Sequence, residues 1–112
     1  MKIAVPVINE KLAAHFGHCE HFALLEVDSS AGQVTSKTLV TPPPHEPGVL
    51  PLWLHQQGAD VIICGGMGIK AKQLFDQYSI RVVIGAPEEL PEALAKQFLE
   101  GSLQTGENLC TH

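Results

Sequence analysis

The sequence predicts an α/β domain built on a mixed sheet, and three observations carry that prediction. Residues 2–8 (KIAVPVI) are apolar on both alternating faces, as in a strand covered from both sides. Two more strand-like runs follow, joined by a turn-rich connection. The second half of the chain then alternates short apolar runs with helical periods.

Residues 22–28 (FALLEVD) and 33–40 (QVTSKTLV) flank "SSAG" and read as a hairpin. "TPPPHEPG" at 41–48 reads as a stiff loop, because proline fixes φ and cannot extend a helix or a ladder. Over 49–57, Val49, Leu50, Trp53 and Leu54 share one helical face, Pro51 is tolerated in a first turn, and Gly58 stops the helix. Val61, Ile62, Ile63 and Cys64 form a fourth, buried strand. "GGMG" leads into a second helix in which Met67, Ala71, Leu74, Phe75 and Tyr78 share a face. Residues 80–84 (IRVVI) give a fifth strand. "GAPEELPEALAKQFLEG" reads as a third helix with an acidic first turn, with Leu90, Ala93, Leu94 and Phe98 inward and Gly101 ending it. The expected organisation is one domain over 1–104 and a tail over 105–112.

If the first three strands form a meander and helical crossovers set the rest, strands one, three, four and five run parallel and strand two runs against them. Strand one is apolar on both faces and belongs inside the sheet. The expectation is a five-stranded mixed sheet of order 3-2-1-4-5 with helices on both faces, resembling the ribonuclease H-like arrangement.

Composition narrows the function. The 112 residues suit one domain, and a hydrophobic fraction of 45% supplies a core without disulfides or metal. Seven basic against twelve acidic residues give a net charge of -5, and the lysines are scattered. That is a poor footprint for nucleic acid or an acidic membrane surface. No apolar run approaches the ~20 residues that span a bilayer. Three well-separated cysteines, Cys19, Cys64 and Cys110, argue against a disulfide framework and for reduced thiols in a cytoplasm.

In this topology the loops after strands one, three, four and five leave from one edge, where open α/β sheets bind ligands. They carry "HFGHCEH", "PPPHEP", "CGGMG" and "GAPEE". His15, His18, Cys19, His21, His45 and Cys64 could therefore converge, although scattered in sequence. Thiolate and imidazole suit zinc, copper, iron and iron–sulfur assemblies. No CxxC or HExxH spacing is present, so solvated loop histidines remain the competing reading; if 20–28 is extended, not all of these residues can be ligands. Gly65, Gly66, Met67 and Gly68 precede a helix and form a candidate anion cradle, or simply a tight strand-to-helix turn. Cys110 and His112 close the chain as two soft donors; a disordered end is the commoner reading of such a tail, but its length would let it return to the ligand edge or reach a neighbouring subunit.

"MKIAVPV", "HFG", "GADVIICGGMG", "RVVIGA" and "EAL..FLEGSL", in that order, resemble the dinitrogenase iron-molybdenum cofactor biosynthesis family, which includes NifX-like proteins and the carboxy-terminal domain of NifB. The resemblance covers roughly residues 1–104. It implies a ribonuclease H-like fold and carriage of an iron–sulfur or iron–molybdenum–sulfur cluster, with metallocluster donor or acceptor proteins as partners. It makes His15 the family ligand and Gly65–Gly68 the loop bordering an anionic cluster. Zinc is the alternative metal, and a homodimer would let two subunits complete one ligand set.

The expected function is thus non-enzymatic binding or carriage of a metallocluster. A nuclease would need clustered carboxylates holding two metal ions, and strand one offers none. A Cys19 nucleophile lacks an identifiable orienting group. The main competitor is a small regulatory or interaction module that binds an anion or a protein partner without metal.

Overall fold

The computed structural model of the chain describes residues 1–16, 19–44, 46 and 48–106. Strand β1 (Lys2–Ile8) is buried on both faces along most of its length. Asn9 and Glu10 follow with φ of 52° and 69°. Two successive left-handed residues make the tight turn whose twist suits a hairpin. Strand β2 (Lys11–Leu12) then returns antiparallel, with Val7 opposite Leu12 and Ile8 opposite Lys11.

The sheet continues through β3 (His21–Asp28), β4 (Gln33–Val40), β5 (Val61–Ile63) and β6 (Arg81–Val83). Its order is β4-β3-β1-β5-β6, with β2 paired to β1. β1 and β3 are antiparallel, as are β3 and β4, whereas β5 runs parallel to both β1 and β6. The sheet is mixed, as expected, but it has six strands where the sequence predicts five. The additional strand is β2, inside a stretch that reads as irregular because its turn residues are Asn-Glu and not the usual Asn-Gly.

Helices α1 (Val49–Gln56) and α2 (Ile69–Gln77) cover one face, and α3 (Pro91–Glu100) covers the other. Phe22, Leu24 and Ile62 meet Leu50, Leu54 and Phe75 on the first face. Ala23, Leu25 and Ile63 meet Leu94 and Ala95 on the second. Each large side chain buried this way contributes roughly 1.5–3 kcal/mol. No helix among the described residues is long and apolar enough to cross a membrane.

The third helix starts later than its periodicity suggests. Proline at the first helical position suits a helix start, and helical backbone is disfavoured for the residue before a proline. Leu90 therefore stays extended, with φ -62° and ψ 141°, and is 46% exposed instead of facing inward. Glu88 and Glu89 fall outside the helix, leaving Glu92 as the acidic residue of its first turn. Met67 likewise precedes α2, although it is buried as expected.

Candidate functional site

The chain leaves β1, β4, β5 and β6 at one edge of the sheet. β5 pairs with β1 only at Ile3 and Ala4, opposite Val61 and Ile62, and then departs. The slot it vacates beside β1 is taken by β2 and the residues after it. The Ala13 N–H donates to the Pro6 carbonyl at 2.8 Å on this side, and the Glu20 N–H donates to the Val7 carbonyl at 2.9 Å on the other. The crevice expected between these strands thus holds the chain's own loop.

That loop docks on the glycine loop after β5. A Cβ on Gly65 would lie 2.7 Å from the Ala14 carbonyl oxygen, so only glycine allows the two backbones to come this close. One residue on, the Phe16 N–H donates to the Gly66 carbonyl at 3.0 Å. The Phe16 ring is buried against Phe75, with centroids 5.4 Å apart, and against Phe22, at 6.1 Å, both edge to face. Phe16 is therefore an anchor that fixes the position of its exposed neighbour His15.

Cys19 packs against the same cluster of Phe16, Cys64 and Met67 and is partly buried. Burial pushes its thiol up to about 11, since the thiolate is disfavoured away from water. Cys64 is completely buried and is a core residue of that cluster. His21 goes elsewhere. It stands opposite Val7 on β1 and lines a cleft of about 450 Å³ with Lys37, Leu39 and Leu90, on the α3 face. Cys19 and His21 therefore lie toward opposite faces of the sheet, two residues apart in sequence. His18, His45, Cys110 and His112 lie outside the described residues. Among the described residues, no group of three or more His, Cys, Asp or Glu is placed to hold a metal ion.

The glycine loop is tied on both sides. Gly65 accepts from the Gly85 N–H at 3.1 Å, and Gly66 from Phe16. Gly68 caps α2 in an extended conformation, with no side-chain cap and no acidic residue in the first turn. The opening amides of α2 carry the positive end of the helix dipole, and exposed Lys70 and Lys72 flank them. This end of α2 is chemically suited to an anion.

Phe16 and Gly85 are structural members of this edge that carry no recognised ligand chemistry in the sequence. Gly85 had a signal available: it follows an apolar strand directly, as Gly65 does, in "VVIGA" beside "IICGG".

Residues 1–101 match the profile of the family described as dinitrogenase iron-molybdenum cofactor. The uncharacterized protein MJ0580 of Methanocaldococcus jannaschii is 33% identical over 109 residues, covering 93% of this chain and 90% of that one. Among solved structures, PH0822 superposes with a TM-score of 0.85 at 26% identity, covering 94% of each chain. The apo form of the orange protein from Desulfovibrio gigas gives 0.73 at 22% identity, over 96% of this chain and 93% of that one, and shares the fold.

Proposed function

The chain belongs to the dinitrogenase iron-molybdenum cofactor family, and from that premise we propose that it binds and carries an iron–sulfur or iron–molybdenum–sulfur cluster without catalysing a reaction. The cluster is cargo. The observation that carries the reading is the docking of the Ala14–Phe16 segment, which bears His15, on Gly65 and Gly66 through the Gly65–Ala14 contact and the Phe16–Gly66 hydrogen bond.

The available chemistry fits a soft, anionic cargo. The Cys19 thiol and the His15 imidazole supply soft donors. The uncapped start of α2 and its two lysines offer positive potential to sulfide or oxide ligands. His15 and Cys19 make an incomplete ligand set, which suits a carrier that must release what it holds. A thiol pushed up to about 11 is a poor nucleophile at neutral pH, which favours binding over covalent catalysis. Metal binding would displace its proton. Metallocluster donor and acceptor proteins are the partners this reading implies.

The test is anaerobic reconstitution with iron and sulfide, with and without molybdate, followed by metal quantitation and absorption spectroscopy. A stoichiometric chromophore that is lost in Cys19→Ala and His15→Ala supports carriage. Zinc alone would indicate a mononuclear site. No metal above background under any condition would sink the reading in favour of a metal-free interaction module.

A further inference from the structure

Six large apolar residues are exposed among the described residues, and three of them, Ile8, Leu39 and Leu90, stand around the β1–β2 turn. Each is held out by its place in the chain. Leu90 precedes Pro91, stays extended ahead of α3 and so keeps its side chain in water. Leu39 lies on the edge strand β4 opposite Ala23 and is 52% exposed. Ile8 ends β1 opposite the exposed Lys11.

These residues border three adjoining clefts. Leu39 and Leu90 line the cleft of about 450 Å³ that also takes His21. Ile8 lines a second, of about 370 Å³, and Asn9 borders both. A third, of about 440 Å³, is lined by Leu90, Lys11 and Glu88 and so joins the other two. Apolar side chains gathered in one place and rimmed by polar groups mark an interaction surface, whereas scattered ones need no explanation.

Hydrogen bonds between its parts hold this surface in shape. The Asn9 N–H donates to Glu20 Oε1 at 3.0 Å and ties the β1–β2 turn to the start of β3. The Leu12 N–H donates to the Glu89 carbonyl at 3.0 Å and ties β2 to the loop before α3. A partner meets an ordered surface here, and little has to be fixed on binding.

Charge decides what kind of partner fits. Lys37 and Glu92 neutralise each other across 2.9 Å. The remaining carboxylate and ammonium groups at the clefts are those of Glu10, Glu20, Glu88 and Glu89 against the single lysine Lys11. A second copy presenting the same surface would set like charges against each other. The phosphates of a nucleic acid or an anionic membrane would meet the same repulsion.

We propose that this surface docks a protein partner through a basic amphipathic segment. Its apolar side chains cover Ile8, Leu39 and Leu90, and its lysines or arginines face the four carboxylates around them. Docking is a property of the metal-free chain, and only its purpose rests on the carrier reading. Glu20 and His21 directly follow Cys19, so a partner seated here lies beside the edge from which cargo would pass.

The experiment selects a displayed library of random short peptides on the full metal-free chain, with the Leu39→Ser/Leu90→Ser variant as counter-selection. Circular dichroism checks the fold of that variant, and Leu39→Ser alone replaces it if the pair does not fold. Enriched peptides are expected to carry apolar residues flanked by lysine or arginine. A synthetic peptide of that sequence should move the amide resonances of Asn9, Leu39 and Leu90. It should bind about tenfold more weakly to Glu10→Lys/Glu88→Lys, and more weakly to the wild type in high salt. Enrichment of acidic or uncharged peptides, or none above the counter-selection, would overturn the proposal. Resonance shifts confined to the start of α2 would do the same. If the same amides move when the protein alone is concentrated, and its sedimentation coefficient rises, the surface belongs to a second copy and the proposal falls. None of these results depends on metal, so a failed docking surface leaves the reconstitution result standing, and failed reconstitution leaves the peptide result standing.

Discussion

Gly65 lies so close to Ala14 that a single added methyl would sit 2.7 Å from the Ala14 carbonyl oxygen. Backbone faces backbone there, and neither side can swing away like a flexible side chain. Gly65→Ala should therefore force the two loops apart and destabilise the protein by about 1–3 kcal/mol, the range for overpacking a fixed site. Urea unfolding gives the loss. Hydrogen exchange locates it: the Phe16 amide, bonded to Gly66 at 3.0 Å, should lose protection. Unchanged protection at Phe16 would mean that the loops do not depend on each other.

The Phe16 ring holds the loop from inside the core, edge to face with Phe22 and Phe75. Removing it leaves a cavity and frees the segment that positions His15 and Cys19. Phe16→Ala should reduce stability by about 3–5 kcal/mol. Phe22 also packs on Trp53, the chain's only tryptophan, with centroids 5.6 Å apart. Native-state fluorescence should accordingly shift in Phe16→Ala, and Phe16→Leu should recover most of both effects. A stability loss without any spectral change would mean that the aromatic cluster does not couple the loop to α1.

The long strands are legible in sequence because burial on two faces leaves continuous apolar runs, as in β1 and β3. Helix ends are legible where proline or glycine dictates the backbone, as Gly101 does for α3. β2 is not, because its turn depends on Asn9 and Glu10 adopting positive φ, which no periodicity reports. The candidate site divides along the same line. Period-two alternation alone sends His21 to the α3 face, opposite the side where Cys19 packs. The contacts that order the edge, Gly65 on Ala14 and Gly106 on Gly85, are backbone approaches between segments far apart in sequence. They leave only isolated glycines as a trace.

Lys37 on β4 and Glu92 in the first turn of α3 form an ion pair of 2.9 Å, with side chains 35% and 44% exposed. It joins the edge strand to the helix on its face, but solvent screens it. Such pairs contribute about 0–1 kcal/mol. Glu92→Gln should lower stability by less than about 1 kcal/mol, and the difference from wild type should vanish in high salt. A larger, salt-insensitive loss would show that Glu92 stabilises the α3 start through the helix dipole or its own packing instead.

Cys19 gives a pH dependence with a defined sign. Its thiol is pushed from 9.0 up to about 11 by burial. Between these values the folded protein keeps a proton that the unfolded chain has released. Unfolding then releases a proton, so stability is fully present below pH 9 and declines as pH rises through about 11. Cys19→Ala should remove that component of the decline, which urea midpoints measured from pH 8 to 11.5 would show as a flatter profile. Alkylation gives an independent reading, because the thiolate is the reactive form. In the metal-free protein, iodoacetamide should modify Cys19 slowly at neutral pH, with a rate rising about tenfold per pH unit until it levels near 11. Peptide mapping would assign the rate to Cys19 separately from Cys64 and Cys110. A plateau already reached near pH 9 would mean that the thiol is solvated and that the Phe16–Met67 cluster does not shield it.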